Sequence, residues 1–325
     1  MREIKISEVG AFRIGQAENT TAGTGCTVII SENGMAAGLD VRGGGPALRE
    51  SQLLNPLMAA EEIHAVLLGG GSAFGLGAAN GVMEYLEERG IGIDVGVTRV
   101  PLVVQADIFD LTVGDKMIRP DRNMGYLAAK NAMETPNYHD GNYGAGCGAT
   151  VGKIRGMDCC MKTGIGSFAL ENGNVRIGAL VVLNALGDVY DAKTGKKTAG
   201  VLEADKSGFG DTVELMAETT DVVENRFTNN TTLAVVMTNA KFQKSQLCKI
   251  AGMAHDGYAR SIRPVHTSVD GDSIFAVSAG DVSADQDLIG ILAAEVVSEA
   301  ILRAVSSAES AYGFPAAKDL QFLKM

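Results

Sequence analysis

A threonine at the head of an apolar strand is a place where one residue can supply both a nucleophile and its base. Asn229-Asn230-Thr231-Thr232 runs directly into Leu233-Ala234-Val235-Val236-Met237, behind a polar, charged approach from Asp221 to Asn230. A chain cut before Thr231 would carry a free α-amine beside the hydroxyl. Such an amine titrates near pH ~8 and accepts a proton at neutral pH, whereas an internal threonine has no built-in base. Asn before Thr also suits an N-to-O acyl shift, because Asn tolerates unusual backbone angles. Two threonines at a strand start equally fit plain β-propensity, and these residues alone leave both readings open.

A second chemical cluster lies in Pro264-Val265-His266-Thr267-Ser268-Val269-Asp270-Gly271-Asp272, with two carboxylates flanking a glycine. This pattern fits an Asx turn before a strand. It also fits one acid orienting an ammonium or hydroxyl while the other polarises the network. Lys153 ends the Gly-rich run Gly144-Ala145-Gly146-Cys147-Gly148-Ala149-Thr150-Val151-Gly152. Solvated, it does nothing; desolvated beside those acids, it would anchor the network.

Other features argue by failing their templates. Gly69-Gly70-Gly71-Ser72-Ala73-Phe74-Gly75-Leu76-Gly77 joins a strand to a helix, as a phosphate cradle would. Phe74 breaks both G-x-G-x-x-G and G-x-S-x-G, and no Gly-Lys-Ser/Thr closes a P-loop, so a turn with structural glycines is expected. His64, His139, His255 and His266 are not spaced as a metal pair and offer no Ser-His-Asp set. Neither a metal nor a cofactor site is expected, and a mechanism without histidine gains weight. Cys26, Cys147, Cys159, Cys160 and Cys248 are odd in number and form no C-x-x-C. That fits reduced thiols, with Cys147 a small hydrophobe rather than a nucleophile.

The elements that must position these groups follow from composition and period. With 325 residues, 46% of them hydrophobic, a mean hydropathy of +0.11 and 41 glycines, the chain can bury a large core and turns often. A net charge of −11 and no cluster of Lys or Arg exclude nucleic acid as a partner. The charged start Met1 to Glu8 and the lack of a run of about 18 apolar residues lead us to expect a soluble, cytoplasmic protein with no membrane partner.

Strands are expected at 25–30, 64–68, 102–104, 177–183, 232–237 and 273–278, with a hairpin at Glu32-Asn33-Gly34 returning through Met35 to Val41. Helices are expected through Val82 to Glu87, over 245–262, and from a capping pair Ser283 and Gln286 onwards. Residues 192–230 read as a polar, poorly periodic connection, accessible to cleavage. The segments 177–184 and 232–239 share Val-Val-(Leu/Met) followed by Asn-Ala, which could set them side by side in one sheet.

The ordered motifs, taken together, resemble the L-aminopeptidase/D-esterase family of self-processing hydrolases, which includes β-peptidyl aminopeptidases and nylon-oligomer hydrolases. The likeness runs from Thr24-Gly25-Cys26-Thr27-Val28 through Asp40-Val41-Arg42-Gly43-Gly44, Gly70 to Leu76, Phe109-Asp110-Leu111, Gly146 to Lys153 and Asn184 to Val189. It ends with Asn230 to Ala240 and His266 to Phe275. The resemblance implies one α/β catalytic domain over 1–325, a four-layer αββα sandwich like that of N-terminal-nucleophile hydrolases but differently connected. It further implies self-cleavage between Asn230 and Thr231 into an α chain, 1–230, and a β chain, 231–325, assembled as a homo-oligomer of αβ units. Thr231 matches the nucleophile and Asn184 the oxyanion-stabilising amide. Lys153, Asp270 and Asp272 match the polar network of the nylon-oligomer branch, while the aminopeptidase branch has Ser at Thr231. The implied partner is a small peptide or amide substrate. Two alternatives stand beside it: an acyltransferase of the ornithine-acetyltransferase type, and a non-enzymatic ligand-binding α/β protein using Gly69 to Gly77.

Overall fold

The computed structural model describes residues 1–218, 230–320 and 322. Its principal strands are β1 (Arg13–Asn19), β2 (Thr24–Val41), β3 (Ile63–Gly69), β4 (Val103–Asp107), β5 (Ile165–Asn172), β6 (Val175–Asn184), β7 (Thr231–Ala240) and β8 (Ser273–Val282). They run side by side in the order β5-β6-β7-β8-β2-β3-β4, with β1 on the free flank of β2. The pairs β7–β8 and β3–β4 are parallel, and the other pairings along this path are antiparallel. The helices are α1 (Ala79–Glu88), α2 (Arg122–Glu134), α3 (Thr212–Ala217), α4 (Lys244–Ser261) and α5 (Gln286–Ser306).

β2 turns this ribbon into two sheets. Residues Thr24 to Ile30 pair with β1 and β3, whereas Ala36 to Val41 pair with β8. Side-chain alternation then builds three apolar interiors. On β7, Leu233, Val235 and Met237 face the interior between the sheets, which Val66 and Leu68 of β3 also enter. Ala234 and Val236 face the opposite way, onto Leu247, Ile250 and Ala254 of α4 and Val296, Val297 and Ala300 of α5. Val28 and Ile30 of β2 pack on Val82, Tyr85 and Leu86 of α1 and Ala128 and Ala132 of α2. The layers are therefore α-β-β-α, as expected. Each fully buried Val, Leu or Ile contributes about 1.5–3 kcal/mol.

Three expectations need correction. Glu32-Asn33-Gly34 is not a hairpin turn: β2 continues through it, with a register shift against β3 between Ile30 and Met35. Gly34, at φ 85°, lets the strand bend there, and each half finds a distant partner that outweighs the local turn signal. Residues 192–218 are not an unstructured connection. They form the short strand Lys197–Ala199 and α3, whose N-cap Asp211 accepts from the Val213 and Glu214 amides; the rest of that predicted connection, 219–229, lies outside the described residues. Finally, α5 is capped by Asp285, whose Oδ1 accepts from Leu288 N at 2.9 Å, and not by Ser283.

Candidate active site

The internal likeness of 177–184 and 232–239 has a structural counterpart: β6 and β7 are antiparallel neighbours, and Asn184 stands directly opposite Thr231. Both residues are buried at the ends of their strands. β8 pairs with β7 on its other side, starting at Leu233 opposite Ser273, so the turn Asp270-Gly271-Asp272 arrives beside Thr231. The loop carrying Lys153 meets Leu186 just beyond β6, where the Lys153 amide donates to the Leu186 carbonyl at 3.3 Å. Three segments far apart in sequence thus converge on the head of β7.

The five residues matched to the catalytic centre, Thr231, Asn184, Lys153, Asp270 and Asp272, lie in this cluster. Lys153 Nζ donates to Asn184 Oδ1 at 2.7 Å and to the Asn184 carbonyl at 3.1 Å. Asn184 Oδ1 also accepts from Thr150 N at 3.1 Å, and Asn184 Nδ2 donates to the Phe109 carbonyl at 3.2 Å. Asp270 accepts from the Thr267 hydroxyl at 2.5 Å, Thr267 N at 3.1 Å and Leu186 N at 3.4 Å. Asp272 Oδ1 accepts from Thr232 N at 2.8 Å, and its Oδ2 from His266 N at 3.1 Å and the His266 ring at 2.9 Å.

The Asn230–Thr231 peptide is itself buried. The Thr231 hydroxyl lies against the Asn230 carbonyl oxygen, which also accepts from Gly271 N at 3.2 Å. A Cβ at position 271 would come within 2.6 Å of Thr231 Oγ1, so only glycine lets this turn sit on the hydroxyl. The peptide thus has a hydroxyl at its carbonyl and an amide donor on the oxygen where negative charge would develop.

Burial sets the titration here. It drives the Lys153 ammonium down to about 7, against the opposing pull of Cys160, Asp270 and Asp110. It lifts the Asp270 carboxyl to about 6, helped by the nearby Asp272 charge. A neutral Lys153 amine keeps hydrogens for both Asn184 oxygens and has basic character at neutral pH.

A stability prediction follows. Between pH 7 and 10.5 the unfolded chain binds a proton at Lys153 that the folded chain does not, so stability rises with pH over that window. Lys153→Met removes the term. In a Thr231→Ala background, the melting temperature of the Met variant relative to its parent should be higher at pH 7 and fall towards pH 10. A difference that does not change with pH would show that Lys153 keeps its ordinary titration.

Other groups around the centre carried little signal in the sequence. A cavity of about 70 Å³ is lined by Gly45, Ala47, Ser72, Asp107, Phe109, Asn230, Thr231 and Val269. Asp107 ends β4 at 1% exposure; its Oδ1 accepts from Gln105 Nε2 at 2.8 Å, and its Oδ2 is buried with no partner among the described residues. Burial holds its carboxyl well above the usual range, against the Gln105 hydrogen bond and with a contribution from Asp110. An acid inside the apolar run Val103 to Ile108 was the available clue. Lys162, also fully buried, donates to the carbonyls of Gly146, Ala149 and Thr163 and so braces the loop bearing Thr150 and Lys153. Gly69 to Gly77 makes the expected strand-to-helix turn, and the Gly71 amide is taken by Asp110 Oδ1 at 2.7 Å. A carboxylate thus stands where a phosphate cradle would need an open donor. Cys147 is buried, and burial raises its thiol above the ordinary value. No described helix is long and apolar enough to cross a membrane.

The sequence model of Peptidase family S58 matches residues 5–318. An uncharacterised aminopeptidase of Mycobacterium leprae is 36% identical over 332 residues, covering 95% of this chain and 90% of its own. A 6-aminohexanoate-oligomer endohydrolase of Paenarthrobacter ureafaciens is 30% identical over 327 residues, covering 93% and 86%. Among solved structures, the L-aminopeptidase D-Ala-esterase/amidase of Ochrobactrum anthropi, a variant of the Ntn hydrolase fold, superposes with a TM-score of 0.70 at 18% identity, covering 98% of this chain and 92% of that one.

Proposed function

The chain belongs to peptidase family S58 and is a peptide- or amide-cleaving enzyme, and from that premise we propose that it cuts itself before Thr231 and then hydrolyses small amides bearing a free ammonium group. In the self-cleavage, Thr231 Oγ1 attacks the Asn230 carbonyl carbon and passes its proton to the neutral Lys153 amine. The Gly271 N–H steadies the oxyanion, the Thr231 nitrogen leaves with a proton, and an ester links Asn230 to Thr231 Oγ1. The shift leaves the Thr231 α-amine free, and water then hydrolyses the ester, releasing the Asn230 carboxylate and restoring the Thr231 hydroxyl. In the second reaction this amine takes the hydroxyl proton as Oγ1 attacks the substrate carbonyl, and returns it to the leaving amine; it then takes a proton from a water that attacks the acyl ester, which releases the acid and restores the Thr231 hydroxyl. Asn184 supplies the amide hydrogen for the oxyanion, and Lys153, Asp270 and Asp272 keep the centre in register. Assembly as a homo-oligomer of αβ units belongs to the same proposal.

The substrate class rests on Asp107. A buried carboxyl with one oxygen that has no partner among the described residues, in the cavity that Thr231 also lines, suits a cation. An ammonium arriving there would restore the ionised carboxylate, and the pair would be held in a desolvated site. This favours short peptides with a free N-terminus or amides of β- and ω-amino acids over substrates with a blocked amine. Asp107→Asn removes the charge with little change of shape. It should lower kcat/KM for an aminoacyl p-nitroanilide by about 100-fold while leaving an N-acetylated analogue within about 3-fold, if truncating one partner of such a pair costs about 3 kcal/mol. Equal losses on both substrates would remove Asp107 from amine recognition.

A further inference from the structure

Asp272 divides its two oxygens between the nucleophile strand and a histidine. Oδ1 takes the Thr232 N–H at 2.8 Å, the amide next to Thr231. Oδ2 takes both the backbone amide and the ring of His266, at 3.1 and 2.9 Å. The backbone at His266 has φ 57°, a left-handed conformation that costs a residue with a Cβ on the order of 1 kcal/mol or more unless its surroundings impose it.

Those surroundings are specific. The His266 ring meets the fully buried His255 ring at 4.8 Å between centroids and an interplanar angle of 73°. His255 Nε2 faces the Asp40 carbonyl at 3.1 Å, and Arg42 Nε binds Asp40 Oδ1 at 2.9 Å. The Arg42 and Gly43 amides return to the Asp272 carbonyl at 3.0 and 3.2 Å, which closes a ring of contacts on Asp272. His266 Nε2 and His255 Nδ1 are buried with no partner among the described residues. The tautomers follow from the partners: Nδ1–H on His266 towards the carboxylate, Nε2–H on His255 towards the carbonyl, and a bare lone pair on each remaining nitrogen. A further proton on either ring would make an N–H with no acceptor.

We propose that His266 is a positioning residue for the Thr231 centre, whose ring Nδ1–H fixes Asp272 so that its other oxygen holds the Thr232 N–H and, through it, the placement of the Thr231 hydroxyl. The inference rests on Thr231 as the nucleophile. It deepens that reading by naming a group that touches neither substrate nor scissile bond.

Asn and Gln separate this role from simple packing. An Asn amide nitrogen reaches the place of Nδ1 and tolerates the left-handed backbone; a Gln amide reaches the place of Nε2. His266→Asn should cleave itself and turn over within about 3-fold of the parent. His266→Gln should slow self-cleavage and lower kcat of the cut enzyme by about 10- to 100-fold with KM nearly constant, the signature of a misplaced reacting group. His266→Gly relieves the backbone but offers no donor, and should fail as Gln does. A folded Asn variant with the same loss, or a Gly variant with parental rates, overturns the proposal even if the Gln variant does not fold. Thr231→Ala is run in parallel. If it is inert while His266→Gln is normal, only the His266 role falls; if it cleaves and hydrolyses normally, the nucleophile assignment falls and this inference with it.

Discussion

Thr231→Ala is expected to leave the chain in one piece and to bring amide hydrolysis to background, a loss of about 10⁴-fold or more, as for removal of a covalent nucleophile elsewhere. Ala keeps the strand and its register opposite Asn184. It lacks the oxygen that lies against the Asn230 carbonyl, so neither the acyl shift nor attack on a substrate has an electrophile-seeking atom. Thr231→Ser keeps that oxygen and loses the methyl that stiffens its rotamer, and should retain part of both reactions. The comparison needs only gel analysis and a chromogenic amide. Normal turnover by the Ala variant would refute the assignment of Thr231.

The second large effect is expected at the network behind the hydroxyl. Lys153→Met and Asp270→Asn should each reduce turnover by about 100-fold, the size expected when a reacting group is displaced by about 1 Å. Lys153 reaches the centre through Asn184, the residue opposite Thr231, and Asp270 ties the following Leu186 amide to the Thr267 side of the turn. Asp270→Asn preserves volume but turns an NH2 towards the Leu186 or Thr267 amide, so some loss of melting temperature is expected, smaller in effect than the loss of turnover. Each variant must be assayed after its state of cleavage is known, since an uncut chain lacks the α-amine for a separate reason. A cut Asp270→Asn enzyme with full specific activity would return Asp270 to a purely structural role.

Much of this centre was legible in the chain because its chemistry sits at element boundaries. The polar-to-apolar junction at Thr231, the Asp270-Gly271-Asp272 turn and the lysine closing a glycine loop are all visible in one dimension. The shared pattern of 177–184 and 232–239 even pointed to the pairing that sets Asn184 against Thr231. What stayed hidden depends on distance in space. The bend at Gly34 looks like a hairpin turn because nothing local reveals that Ala36 to Val41 will pair with β8. α3 was missed because its single turn and a half relies on an Asp211 cap rather than on period. Asp107 and His266 gain meaning only from an oxygen without a donor and a ring against another ring, which no spacing rule encodes.

The most direct measurement is the intact mass of the purified, active protein with N-terminal sequencing of its smaller component. Self-cleavage predicts two fragments that stay associated under native conditions, corresponding to 1–230 and 231–325, the smaller beginning Thr231-Thr232-Leu233. One species near 33.8 kDa with full hydrolytic activity, or a fragment beginning at Thr232, would contradict it.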